Sequence, residues 1–147
     1  MNDNVKVLSF LLVVLVLSCT SKKMPDRGII PQPNYEVIKD GDFRFRSNTV
    51  VYADPGSEAL RTAEMFIGFM KDTYGLDLDL AYEKPLSNAV LFLSAQDEMK
   101  KGAYSLNISR DNIIIRSSSN SGLFYGFQSL KQLLTPQIRT KYPDIMY

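Results

Sequence analysis

Carboxylates are the only side chains in this sequence whose spacing suggests acid–base chemistry. Asp77 and Asp79 alternate with leucines in Leu76-Asp77-Leu78-Asp79-Leu80, and Asp97-Glu98 is the only Asp-Glu dipeptide. A carboxylate pair can act as general acid and base, or hold a hard divalent cation. Strict alternation has a plainer meaning for Asp77 and Asp79: they form the solvent side of an amphipathic strand. Asp97-Glu98 stands in Ser94-Ala95-Gln96-Asp97-Glu98-Met99 and is expected on a surface loop or at a helix start. The other usual reagents are missing. There is no His, which removes Ser/His and Cys/His nucleophile systems, two-His zinc sites and any imidazole proton transfer. One Cys allows neither an internal disulfide nor a multi-Cys metal site. No catalytic, cofactor-binding or metal-ligating residue is assigned, and no cofactor is expected.

The elements around these residues must therefore carry the reading. With 147 residues, 45% hydrophobic and 22% charged, the chain has the mixture of one ordinary globular domain. A net charge of +1 does not suggest nucleic acid, whose phosphates call for a clustered basic face.

Residues 7–17 are almost unbroken apolar sequence, too short to span a bilayer and suited to the apolar region of an export signal. Val16-Leu17-Ser18-Cys19 follows and resembles the lipobox of bacterial lipoproteins. That resemblance implies removal of residues 1–18 and a lipid thioether on Cys19. The expected location is then outside the cytoplasm, anchored to a bacterial membrane in the periplasm or at the cell surface. Residues 19–28 are polar, hold Pro25 and Gly28, and read as a flexible tether.

Ordered sequence is expected from residue 29. Tyr35-Glu36-Val37-Ile38, Phe43-Arg44-Phe45-Arg46 and Thr49-Val50-Val51-Tyr52 read as short strands, separated by turns at Asp40-Gly41 and Ser47-Asn48. The period then changes. Ala59, Ala63, Phe66, Ile67, Met70 and Tyr74 mark one face of a helix over residues 57–74, with Ser57 as N-cap and Gly75 as a left-handed C-cap. Gly68 inside it suggests close packing. Residues 76–80 read as a strand, and the apolar run 89–93 as a strand covered on both faces. Tyr104, Leu106 and Ile108, a turn at 109–112 and Ile113-Ile114-Ile115 make a hairpin. Ser118-Ser119-Asn120-Ser121 offers caps for a second helix with an apolar stripe of Leu123, Phe124, Phe127, Leu130, Leu133 and Leu134, ending at Thr135-Pro136. The fold class expected is α+β: a mixed or antiparallel β-sheet with two helices packed on it.

Gly122 and Gly126, four apart, let a sheet or another domain approach this helix closely. Tyr125, Gln128 and Gln132 lie off the apolar stripe at spacings of three and four, and form a candidate domain interface.

Two stretches carry a resemblance. Ile29-Ile30-Pro31-Gln32-Pro33 is similar to the opening of many bacterial β-N-acetylhexosaminidases of glycoside hydrolase family 20. Ala103-Tyr104-Ser105-Leu106-Asn107-Ile108, Ile113-Ile114-Ile115 and Gly122-Leu123-Phe124-Tyr125-Gly126-Phe127-Gln128-Ser129-Leu130 resemble the end of their N-terminal domain. Gln132-Leu133-Leu134 completes the pattern, while Gly102 and Ser129 replace its usual acid and Thr. The resemblance covers residues 29–138 and implies a noncatalytic domain that supports a (β/α)₈ barrel.

In that family the barrel holds an H-x-G-G-D-E motif and uses the substrate's own acetamido group as nucleophile. Asp97-Glu98 has no Gly-Gly before it, so it does not match. The chain is therefore expected to be an N-terminal piece of a longer enzyme or a truncated reading frame, with residues 139–147 starting the link to the barrel, and to be inactive alone. The partners implied are that barrel, the glycan bound through it, and the membrane through the lipid. Two other readings stand beside it: a separate surface lipoprotein that binds glycan or protein, and the equivalent domain of an α-glucuronidase or O-GlcNAc hydrolase type of glycosidase.

Overall fold

The computed structural model describes residues 28–37, 41–55, 58–95 and 99–141. Five strands form one sheet: β1 Val50–Ala53, β2 Asp79–Ala81, β3 Ala89–Ser94, β4 Ser105–Ile108 and β5 Asn112–Ser117. Among the described residues there are two helices, α1 Ala59–Tyr74 and α2 Asn120–Lys141. The strand order is β2-β1-β3-β5-β4. The first three pairings are parallel and β4–β5 is antiparallel, so the sheet is mixed.

Both helices cover one face. Val51, Val90, Phe92, Ile113 and Ile115 point into it, as the cross-strand register requires. Phe66 of α1 sits at the centre, with the rings of Phe45, Phe92 and Phe127 at 6.3, 5.9 and 6.0 Å. It ties together α1, the sheet, α2 and the segment before β1. Burial of a side chain of this size contributes about 1.5–3 kcal/mol.

The opposite face carries a smaller cluster of Tyr52, Ala89, Leu91 and Leu93. This is why the run 89–93 is apolar without alternation: β3 is central and buried on both sides. The β1-to-β2 crossover runs through α1, and the chain returns from β2 to β3 in the opposite direction across the sheet. Right-handed crossovers then place residues 82–88 on the helix-free face. Accordingly Asn112, paired with Ala89 in the register, donates from Nδ2 to Leu86 O at 2.8 Å.

Several boundaries differ from the sequence reading. Phe43-Arg44-Phe45-Arg46 alternates inward and outward but joins no strand; Phe43 and Phe45 meet edge to face at 5.0 Å and cap the core. Residues 35–37 are also outside the sheet, and 38–40 lie outside the described residues. The expected strand over 76–80 starts pairing only at Asp79 and runs on to Ala81, although Leu76 and Leu78 are buried and Asp77 and Asp79 exposed. The α1 N-cap is Glu58, without a side-chain capping bond, and Ser57 lies outside the described residues. Gly75 is the expected left-handed C-cap at φ 69°, its N–H donating to Lys71 O at 2.9 Å. Gly68 marks no close packing, since a Cβ there would meet nothing within 4 Å. α2 runs past Thr135-Pro136 to Lys141. Proline forfeits one helical hydrogen bond, but its fixed φ is helical, so the helix can continue.

Candidate domain interface

α2 is held against the sheet by small residues and hydroxyls. Ser119 caps it: its Oγ accepts from Gly122 N at 3.3 Å and from Gly102 N at 3.0 Å. Ser117, buried at the end of β5, donates to Ala103 O at 2.6 Å. A Cβ on Gly122 would overlap Ser117 Oγ and Ala103 O, and one on Gly126 would lie 2.5 Å from Ile115 Cγ2 and 3.2 Å from Tyr104. The close approach that the two glycines permit is therefore to the domain's own sheet. One turn on, the Tyr104 and Ser129 hydroxyls share a hydrogen bond of 2.5 Å. Leu123, Phe127, Leu130 and Leu134 are buried, as the apolar stripe requires.

The flank beside this stripe holds Tyr125, Gln128 and Gln132. Tyr125 is 51% exposed. The inner edge of its ring rests over Gly102, which turns at φ +82°, and its centroid is 6.2 Å from that of Phe124. Gln128 is half-buried. Gln132 is engaged: Ile30 N donates to its Oε1 at 2.8 Å, and its Nε2 donates to Ile30 O at 3.0 Å. The amide thus completes both backbone groups of Ile30 and moors the N-terminal segment beside α2. The apolar side chain of Ile30 stays 78% exposed and belongs to the same surface. Sequence reasoning missed Ile30, because no periodicity links positions 102 residues apart. On the other side of α2, Lys131 Nζ lies 4.9 Å from the centroid of Phe69, which bridges the two helices.

The carboxylates do not gather. Asp77 pairs with Lys71 at 3.0 Å in an exposed ion pair, and Asp79 points to solvent from β2. Asp97, Glu98 and Cys19 lie outside the described residues. Among the described residues, no three His, Cys, Asp or Glu side chains are placed to hold a metal ion. No described helix is long and apolar enough to cross a membrane.

The family model for glycosyl hydrolase family 20, domain 2, matches residues 26–145. Among solved structures, the chain is similar to a GH20 exo β-N-acetylglucosaminidase from Vibrio harveyi in complex with N-acetylglucosamine. The TM-score is 0.58 at 23% identity, over 70% of this chain and 15% of that one. A GH20 β-N-acetylhexosaminidase from Streptomyces coelicolor A3(2) gives 0.55 at 23% identity, over 66% of this chain and 20% of that one. The chain thus spans a fifth or less of the length of these structures. No curated protein matches it by sequence.

Proposed function

From the premise that the chain belongs to the glycosyl hydrolase family 20 domain 2 family, we propose that it serves as the noncatalytic N-terminal domain of an exported, lipid-anchored β-N-acetylhexosaminidase. The whole enzyme would remove terminal N-acetylhexosamine from glycans. The observation that carries the reading is the family match over residues 26–145, a domain that forms 15–20% of the much longer glycosidases it resembles.

The work of such a domain is mechanical. Its sheet and α1 give α2 a rigid backing, and α2 turns the Tyr125–Gln128–Gln132 flank outward. A barrel seated there would cover the free half of Tyr125 and the side chain of Ile30. Half-exposed aromatics are effective anchors, because they bury much area with few rotamers to fix. The lipid on Cys19 would hold the enzyme at a membrane surface, and residues 19–28 would give it reach. Two or three acyl chains anchor far more firmly than one.

Turnover of a chromogenic N-acetylglucosaminide tests the assignment. The 147-residue chain alone should give none above buffer. A reading frame that continues past Tyr147 into a (β/α)₈ barrel should give turnover. Activity of the chain alone, abolished by changing Asp97 and Glu98, would overturn the proposal. The anchor has its own test: Cys19→Ala should abolish labelling by a palmitate analogue in a bacterial host. Continued labelling and membrane retention of that variant would sink the lipid attachment.

A further inference from the structure

Away from α2, at the N-terminal ends of the parallel strands, three arginines surround a depression of about 480 Å³. Arg44 and Arg46 come from the segment before β1, where Phe43 and Phe45 turn inward and so send both arginines outward. Arg110 comes from the β4–β5 turn and is also exposed. Its side chain passes over Gly41, where a Cβ would lie 2.8 Å from its Nε; Gly41 has φ +118°. That glycine leaves room for the arginine. None of the three guanidinium groups forms an ion pair or hydrogen bond with a described residue. Asp42 and Asp111 line the same hollow, so three guanidinium groups face two carboxylates and leave one formal positive charge for an anion to neutralise.

The floor is built rather than incidental. Asn88, at φ 57°, joins three separate loops. Its Nδ2 donates to Asn48 O at 3.0 Å, its Oδ1 accepts from Thr49 Oγ1 at 2.8 Å, and its N–H donates to Asp111 O at 2.6 Å. Buried Thr49 also accepts from Arg46 N at 2.9 Å. The backbone at Arg46 and the turn that carries Arg110 are thus tied before any ligand arrives, which lowers the ordering cost of binding.

We propose that this depression binds the anionic group of an acidic saccharide, a carboxylate or sulfate carried on a sugar ring. The guanidinium forks match either group bidentately. The rest of the lining favours a sugar over a bare phosphate or a lipid surface. Asp42, Asp111 and Ser87 also face the hollow. Two carboxylates repel a dense anionic sheet, yet they accept hydrogen bonds from ring hydroxyls. Its volume falls within the range of small-ligand sites, and its lining is mainly polar. This site does not depend on the barrel or on the lipid anchor.

Isothermal titration of the full chain tests it, with a trigalacturonate oligosaccharide as the carboxylate probe and a heparin-derived tetrasaccharide as the sulfate probe. Saturable binding of at least one, and none of neutral chitotriose at the same concentration, is expected; the preferred probe identifies the group recognised. Arg44→Gln and Arg110→Gln should each weaken it by about tenfold. Both side chains are exposed, so thermal melts should be unchanged. Arg61→Gln, on the outer surface of α1, should bind as the parent does. Absence of saturable binding, equal affinity after Arg44→Gln and Arg110→Gln, an equal loss in Arg61→Gln, or equally tight, arginine-dependent capture on phosphatidylglycerol vesicles would each overturn the proposal.

Discussion

Gln132 and Ile30, 102 residues apart in sequence, exchange two hydrogen bonds, so one glutamine amide stands where a neighbouring strand would pair. Removing that amide frees the N-terminal segment. Gln132→Ala should cost about 0.5–1.5 kcal/mol, because both bonds are exposed and water replaces them in part. Hydrogen exchange at Ile30 should quicken by more than at β3. Unchanged exchange at Ile30 would show that the segment is held by other contacts.

The three helical glycines should respond in opposite directions. Gly126→Ala pushes a methyl into Ile115 and Tyr104 and should destabilise by about 1–3 kcal/mol. Gly122→Ala should be worse, since its methyl meets a backbone carbonyl that cannot turn away. Gly68→Ala enters open space and should stabilise by about 0.5–1 kcal/mol through helix propensity. Urea titration of the three variants measures the order.

Asn88 separates a conformational effect from a bonding effect. Asn88→Gly keeps the left-handed backbone and loses only the side-chain links. Asn88→Ala loses the links and adds a left-handed penalty of about 1–2 kcal/mol. The alanine variant should therefore unfold at lower urea than the glycine variant. Equal midpoints would mean that the loop relaxes to an ordinary conformation.

Tyr125→Ala should cost less than about 1 kcal/mol in the isolated chain, where half the ring is already in water. In an enzyme that carries the barrel, the loss should exceed that by about 1 kcal/mol or more. Equal losses in both contexts would remove Tyr125 from the interface.

The sequence is clearest where local pattern and burial coincide. α1 is marked by Ala59, Ala63, Phe66, Ile67, Met70 and Tyr74; all are buried except Ile67, which is partly buried against the core. The β4–β5 hairpin and the doubly covered β3 are equally plain. Alternation at Phe43 and Phe45 correctly marks the inward side chains, but alternation alone does not supply a ladder partner, and the segment joins no strand. Gly68 and Gly126 look alike in sequence; only the neighbouring atoms distinguish open helix surface from contact with the sheet. Of the candidate interface residues, Tyr125 is half-exposed and Gln132 is occupied by Ile30. The arginine-lined hollow had no sequence signal, since its side chains come from positions 44, 46 and 110.

The strand order also sets a schedule for folding. β3 is the middle strand, and its partner β5 finishes at Ser117, so the centre of the sheet closes only after most of the chain exists. Three of the four pairings join strands that are distant in sequence and must wait for loop closure. Only the β4–β5 hairpin, with α2 following directly, is local. A ribosome that has delivered β1, α1 and β2 has therefore delivered a two-stranded ribbon with an open apolar edge. That half-made domain is the species most in need of chaperone cover, until the carboxyl-terminal hairpin arrives to seal it.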